Sequence, residues 1–178
     1  MNPDSLLLCI DTSTPVGSLA LVGKKGLVAG LTRSNPASHT EKMYTLAGQM
    51  LSDCGLDLEH LGGVAVADGP GSFTGLRIAV ATAKTLAWSL KLPLYAAGTL
   101  ECLAWGAHEA GGPVLAVLEA GQSEYYCGSW LWGDAPEPVE ELLPPCSLDA
   151  GTLAGRMSEL FPGGRVTCVG QGMTTLRE

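Results

Sequence analysis

Two short segments carry the side chains and backbone freedom that chemistry would need. In Asp11-Thr12-Ser13 a carboxylate stands beside two hydroxyls at the end of an apolar run. Such a group could hold a nucleotide phosphate through a metal ion. In Asp68-Gly69-Pro70-Gly71-Ser72-Phe73-Thr74-Gly75-Leu76-Arg77 three glycines lie between an apolar run, Val64–Ala67, and a long helical run. Glycine permits close backbone approach, and Ser72 or Thr74 can cap a helix whose first N–H groups then face outward. Those groups can hold an anion or dock another backbone. Asp11, Thr12, Ser13, Gly71 and Ser72 are therefore candidate nucleotide- or phosphate-loop residues, vestigial in the sense that no lysine follows closely to neutralise phosphate. The plainer alternatives are an Asx/ST-turn at Asp11–Ser13 and a tight strand-to-helix turn at 68–77. The glycines fit neither a P-loop nor the dinucleotide fingerprint.

His39 opens a helical run, but its partner at i+4 is Met43. A thioether is a poor partner for a hard or borderline cation, so no metal site is expected. Ser38 and Glu41 form an S-x-x-E capping box instead. Ser72 lacks the G-x-S-x-G elbow, and no nucleophile–base pair is visible, so no catalytic residue is assigned. Tyr125, Tyr126, Trp130 and Trp132 lie along a strand and read as packing rather than as a stacking platform for bases.

The elements that would position these residues follow the hydrophobic pattern. Strands are expected at Leu6–Ile10, Val16–Val22, Leu27–Arg33, Gly63–Ala67 and Leu94–Ala97, and helices at Thr40–Cys54 and Leu76–Lys91. The order is βββαβα with a further strand. The second half partly repeats it: helix Thr99–Glu109, strands Val114–Leu118 and Tyr125–Trp132, loop Gly133–Pro145, helix Leu148–Leu160 and strand Arg165–Val169. This predicts an α/β chain of two lobes, 1–97 and 98–178. Gly170-Gln171-Gly172 follows a strand as the first glycine loop does, yet few residues remain for the next helix, so the second lobe reads as shortened.

The first helix carries Met43, Tyr44, Leu46 and Met50, and the second repeats Ala79, Ala83 and Ala87 every four residues, with Leu86 beside them. A small flat face lets helices approach closely. Either the second helix is wholly internal, or its spare face meets a partner. Methionine and aromatics on the first helix favour a partner-binding or dimer surface at Met43, Tyr44, Leu46, Met50, Ala79, Ala83 and Leu86.

Bulk properties narrow the class. The chain has 178 residues, a net charge of −8 and only 16% charged residues. It has no electrostatic footprint for binding RNA alone, and its low charge suggests surface that becomes covered. The six cysteines show no C-x-x-C pair and read as buried thiols in a reducing cytoplasm. The N-terminus lacks a basic signal region, and no apolar run is long enough to span a membrane.

Ile10-Asp11-Thr12-Ser13-Thr14, Ser38-His39-Thr40-Glu41 and Asp68-Gly69-Pro70-Gly71-Ser72-Phe73-Thr74-Gly75-Leu76-Arg77-Ile78, in this order, resemble the TsaB (YeaZ) family over residues 6 to about 100. The second half resembles it weakly. Where the family usually has Asp-Ala-Arg-Lys, this chain has Glu119-Ala120-Gly121-Gln122-Ser123-Glu124, and the chain is shorter than is usual. The resemblance implies an actin-like ATPase fold (ribonuclease H-like) with two βββαβα lobes. It implies a non-catalytic role in threonylcarbamoylation of the adenosine next to the anticodon of ANN-decoding tRNAs. The related subunit TsaD, with paired histidines on a metal, performs the transfer. The TsaB-like chain docks TsaD through its first two helices, TsaE joins, tRNA is met through the complex, and the same surface forms a homodimer when the partner is absent. No cofactor of its own is implied, with ATP or ADP at the complex interface left open. The alternatives are an ATP-dependent phosphotransferase, with loops at Asp11–Ser13 and Gly170–Gly172, and a peptidase-like hydrolase.

Overall fold

The computed structural model describes residues 5–34, 43–133 and 138–173. The chain divides into two compact units, Met1–Ala97 and Gly98–Glu178. Each is organised by its own mixed sheet.

In the first unit, β1 (Leu6–Asp11), β2 (Val16–Gly23) and β3 (Gly26–Ser34) form an antiparallel meander. Helix α1 (Met43–Asp53) follows, then β4 (Leu61–Gly69), α2 (Phe73–Leu90) and β5 (Leu94–Gly98). The sheet order is β3-β2-β1-β4-β5, with β4 parallel to β1. The period-2 pattern of β1 sends Leu6, Leu8 and Ile10 to one face. There they join Leu19, Leu21, Val64 and Val66 and the inward sides of α1 and α2 in one core. Ser72 caps α2, its Oγ accepting from the Gly75 N–H at 3.3 Å. Thr74 and Gly75 thus belong to the helix, which begins three residues before the start that the apolar run suggests. At the other end Lys91 takes the left-handed conformation (φ 55°), and the Leu92 N–H closes on the Ala87 carbonyl.

The second unit begins with α3 (Thr99–Trp105) and continues with β6 (Gly112–Gly121), β7 (Glu124–Trp132), β8 (Pro138–Asp149), α4 (Ala150–Leu160) and β9 (Thr167–Val169). Its sheet order, β8-β7-β6-β9, repeats the meander-plus-parallel-strand plan of β3-β2-β1-β4. Val114–Leu118 of β6 is buried on both faces. Val114, Ala116 and Leu118 pack with Leu100, Ala104, Trp130 and Trp132. Leu115 and Val117 pack with Tyr125, Cys127, Leu143 and Leu153. Trp130 and Trp132 are thus core residues. Two antiparallel-then-parallel sheets with this strand order are the ribonuclease H-like arrangement of the actin-like ATPase fold.

Three expectations need correction. The segment read as a loop, Gly133–Pro145, contains most of the 12-residue strand β8. Pro144 and Pro145 fall in the register shift between the Cys127–Cys146 and Ser129–Leu143 pairs, where the ladder is interrupted and their missing N–H donors are tolerated. The helix read from Leu148 begins at Ala150, where the Asp149 carboxylate accepts from the Thr152 N–H at 3.0 Å. The cysteines are not uniformly buried: Cys54 and Cys102 are exposed, and Cys127 alone is fully buried. His39 and the Ser38–Glu41 capping box lie outside the described residues.

Candidate functional site

The turn after β1 and the loop before α2 meet. The Asp11 carboxylate accepts from the Ser13 N–H at 2.8 Å, forming the Asx-turn. Thr14 closes the next turn, its hydroxyl donating to the Val16 carbonyl at 2.9 Å. Thr12 reaches across, donating its hydroxyl to the Gly75 carbonyl at 2.7 Å. The Ser72 N–H donates to the Ser13 carbonyl at 2.6 Å.

These bonds explain the glycines. A Cβ on Gly75 would stand 1.9 Å from the Thr12 carbonyl oxygen, and one on Gly71 2.3 Å from that of Ser13. Both approaches require residues without a side chain. The Gly69–Pro70 bond is cis. Asp11, Thr12, Ser13, Gly71 and Ser72 are therefore brought together, but against one another. The Ser72 and Gly75 N–H groups already have protein acceptors. The Ser13 hydroxyl is buried and has no hydrogen-bond partner among the described residues.

Gly170-Gln171-Gly172 behaves alike in the second unit. Gly170 has φ 102°, and a Cβ there would stand 2.2 Å from the Val117 carbonyl oxygen. This loop too is seated on the backbone of its own sheet, and the short 3-10 turn Gln171–Met173 follows it.

The expected helix surface divides by side. Met43, Leu46, Met50, Ala79, Ala83 and Leu86 are each under 9% exposed and form part of the first unit's core. Buried in this way they offer little surface to a partner, although Leu46 and Met50 reach the wall of an open groove beside Arg33, Gln49 and Asp53. The small alanine face of α2 lets the helix lie close on β4 and β1. Met43, in the core, is also unavailable as a metal ligand. Tyr44 is 60% exposed.

The surface that the sequence reading missed lies on the other side of α2. Phe73, Arg77, Ala81, Lys84, Thr85 and Trp88 are exposed and recur at helical spacing. Phe73 is 75% and Trp88 84% exposed. The Arg77 guanidinium lies over the Phe73 ring, 5.4 Å from its centre. Phe73, Thr74, Arg77, Ile78, Ala81 and Thr82 line an open groove, and Lys84, Thr85, Trp88 and Leu94 line another at the helix's C-terminal end. The signal was present as two large aromatics at positions out of phase with the buried alanines. No group of three or more histidine, cysteine, aspartate or glutamate side chains suited to a metal occurs among the described residues. None of the described helices is long and apolar enough to cross a membrane.

Comparison with known proteins adds the lineage. The family model for TsaD, tRNA N6-adenosine threonylcarbamoyltransferase, matches residues 33–133. The tRNA threonylcarbamoyladenosine biosynthesis protein TsaB of Bacillus subtilis (strain 168) is 34% identical over 138 residues, 78% of this chain and 59% of that protein. TsaB of Escherichia coli (strain K12) is 35% identical over 147 residues, 78% of this chain and 62% of that protein. The chain thus spans about 60% of the length of these curated relatives. The solved structure of YeaZ from Pseudomonas aeruginosa superposes with a TM-score of 0.74 at 28% identity, covering 82% of this chain and 68% of that one. With the TsaD model matching more than half of its residues and TsaB and YeaZ proteins as its relatives in sequence and structure, the chain belongs to the TsaB (YeaZ) family, related to TsaD.

Proposed function

We propose that the chain is a non-catalytic partner subunit in the biosynthesis of threonylcarbamoyladenosine in tRNA, supporting a TsaD-type transferase. Its relatives are named for that pathway, and the family model that matches it is that of the transferase. The observation that carries the non-catalytic half of this reading is the seam between Thr12–Ser13 and Gly71–Gly75. There the Ser13 and Thr12 carbonyls close on Gly71 and Gly75, and the Ser72 N–H already donates to the Ser13 carbonyl. The glycine loop sets the position of α2 instead of holding a nucleotide.

The partner half rests on the outward stripe of α2. Two exposed aromatics with a guanidinium between small and polar residues form the composition that interfaces favour. This moves the docking surface from Met43, Leu46, Met50, Ala79, Ala83 and Leu86 to Phe73, Arg77, Ala81 and Trp88, with Tyr44 of α1 the one residue retained. TsaE joins through TsaD, tRNA is met through the complex, and all of this takes place in the cytoplasm. The place for ATP or ADP is the boundary between subunits. The same stripe serves a homodimer when TsaD is absent, because a two-fold interface reuses one patch.

Size-exclusion chromatography of the chain mixed with TsaD tests the surface. Ala81→Glu puts a carboxylate in the exposed stripe without entering the core, and it should abolish the complex while leaving the far-UV circular dichroism unchanged. Complex formation undiminished by Ala81→Glu and by Trp88→Glu refutes the assignment.

A further inference from the structure

We propose that Cys127 and Cys146 form a reversible cross-strand disulfide in the folded second unit when a peroxide reaches Cys146. The two residues stand directly opposite each other on the antiparallel strands β7 and β8. Their sulfurs are 3.7 Å apart. Residues directly opposed in such a pair have Cβ atoms about 4.5–5.5 Å apart, and a disulfide asks for about 3.5–4.5 Å with sulfurs near 2.05 Å. Rotation of the two side chains with a small local shift of the strands covers the difference. The ladder shifts register just beyond Cys127, so the strands can adjust there.

The two thiols differ in access, which orders the chemistry. Cys127 is fully buried among Leu115, Val117, Tyr125 and Leu153, whereas Cys146 is half-buried on the outermost strand. Oxidant therefore meets Cys146 first. The Cys146 thiolate attacks one peroxide oxygen, the O–O bond breaks, and Cys146 becomes a sulfenic acid as hydroxide leaves and is protonated to water. Cys127 then loses its proton, its sulfur attacks the Cys146 sulfur, and the S–O bond breaks. The departing hydroxyl takes that proton and leaves as a second water. Each thiol has lost one electron and one proton, and the peroxide has accepted two electrons. Burial, and then the contact with Cys146, pushes the Cys127 thiol up to about 12. Cys127 thus holds its proton before the sulfenic acid forms. A small thiol reverses the link by attacking the accessible Cys146 sulfur and releasing Cys127. Oxidation would fasten the outermost strand β8 to β7.

The test exposes the whole chain to graded hydrogen peroxide, blocks the remaining thiols and maps the peptides by mass spectrometry without reduction. The expected result is a peptide pair joining Cys127 to Cys146, lighter by two hydrogens and separated by dithiothreitol. Cys146→Ser should abolish the pair. Cys127→Ala should stop the reaction at a Cys146 sulfenic acid that dimedone traps. The proposal is overturned if, in the unaltered protein, both cysteines remain alkylatable after unfolding while Cys54 or Cys102 takes up the oxidant. A cross-link that maps to any other pair overturns it equally.

Discussion

Gly75 lies inside α2, where alanine is ordinarily better than glycine by about 1 kcal/mol. The seam with Thr12 reverses that sign. An added Cβ would stand 1.9 Å from the Thr12 carbonyl oxygen, where real contacts stay beyond 3.0 Å. Relieving the collision separates the turn after β1 from the start of α2. That breaks the bond from the Thr12 hydroxyl to the Gly75 carbonyl and the bond from the Ser72 N–H to the Ser13 carbonyl. Each bond contributes about 1 kcal/mol, and the stranded Thr12 hydroxyl, in a residue only 4% exposed, adds a penalty of about 1–3 kcal/mol. Set against the propensity gain of about 1 kcal/mol, Gly75→Ala should destabilise the first unit by roughly 2–4 kcal/mol. Gly48→Ala is the control: it lies on the exposed side of α1, a Cβ there meets nothing within 4 Å, and it should stabilise by about 1 kcal/mol. Urea titration followed by far-UV circular dichroism measures both variants, and hydrogen exchange of α2 peptides assigns the change to the first unit. A Gly75→Ala protein as stable as Gly48→Ala would refute the backbone seam.

Other consequences are more local. Ser13→Ala removes a buried hydroxyl that has no partner among the described residues, so stability should be unchanged or rise by up to about 1 kcal/mol in the same titration. A loss above that shows the hydroxyl to be bonded. Lys91→Gly relieves a left-handed residue at the end of α2 and should raise stability by about 0.5–1 kcal/mol, read from the urea midpoint. Leu153→Ala empties the contact of α4 with the second core and should cost about 3 kcal/mol. The Asp149 carboxyl is held below the usual carboxylate range by the Thr152 hydroxyl and N–H. Its stabilisation of α4 is complete above the unfolded value of about 3.9 and is lost as pH falls through the lowered folded value. Asp149→Asn should therefore flatten the acid limb of a stability-against-pH curve for α4 measured by hydrogen exchange.

The periodicity of the chain identified the first meander and the two long helices of the first unit, because each buries one face and its apolar residues must recur at the matching interval. The same logic could not say what covers that face. Met43, Leu46, Met50, Ala79 and Ala83 present an identical stripe to a sheet or to a partner, and it is the sheet that takes them. The exposed side had to be read from Phe73 and Trp88 instead. β8 escaped because its charged residues Glu140 and Glu141 and its three prolines resemble a loop, features that an outermost strand accommodates. The glycine loop announced that something must come close. That the visitor is the carbonyl of Thr12, 63 residues earlier, is a property of the fold and not of the local pattern.

The central claim is that this chain supports a transferase and does no catalysis alone. The measurement that meets it most directly combines the purified chain with TsaD, TsaE, unmodified ANN-decoding tRNA and threonylcarbamoyl-adenylate. It counts threonylcarbamoyladenosine formed, beside ATP turnover by the chain alone. The account predicts modification that requires the chain, falls to background with Ala81→Glu, and is accompanied by no turnover from the chain by itself. ATP turnover by the isolated chain, or modification indifferent to its presence, would contradict it.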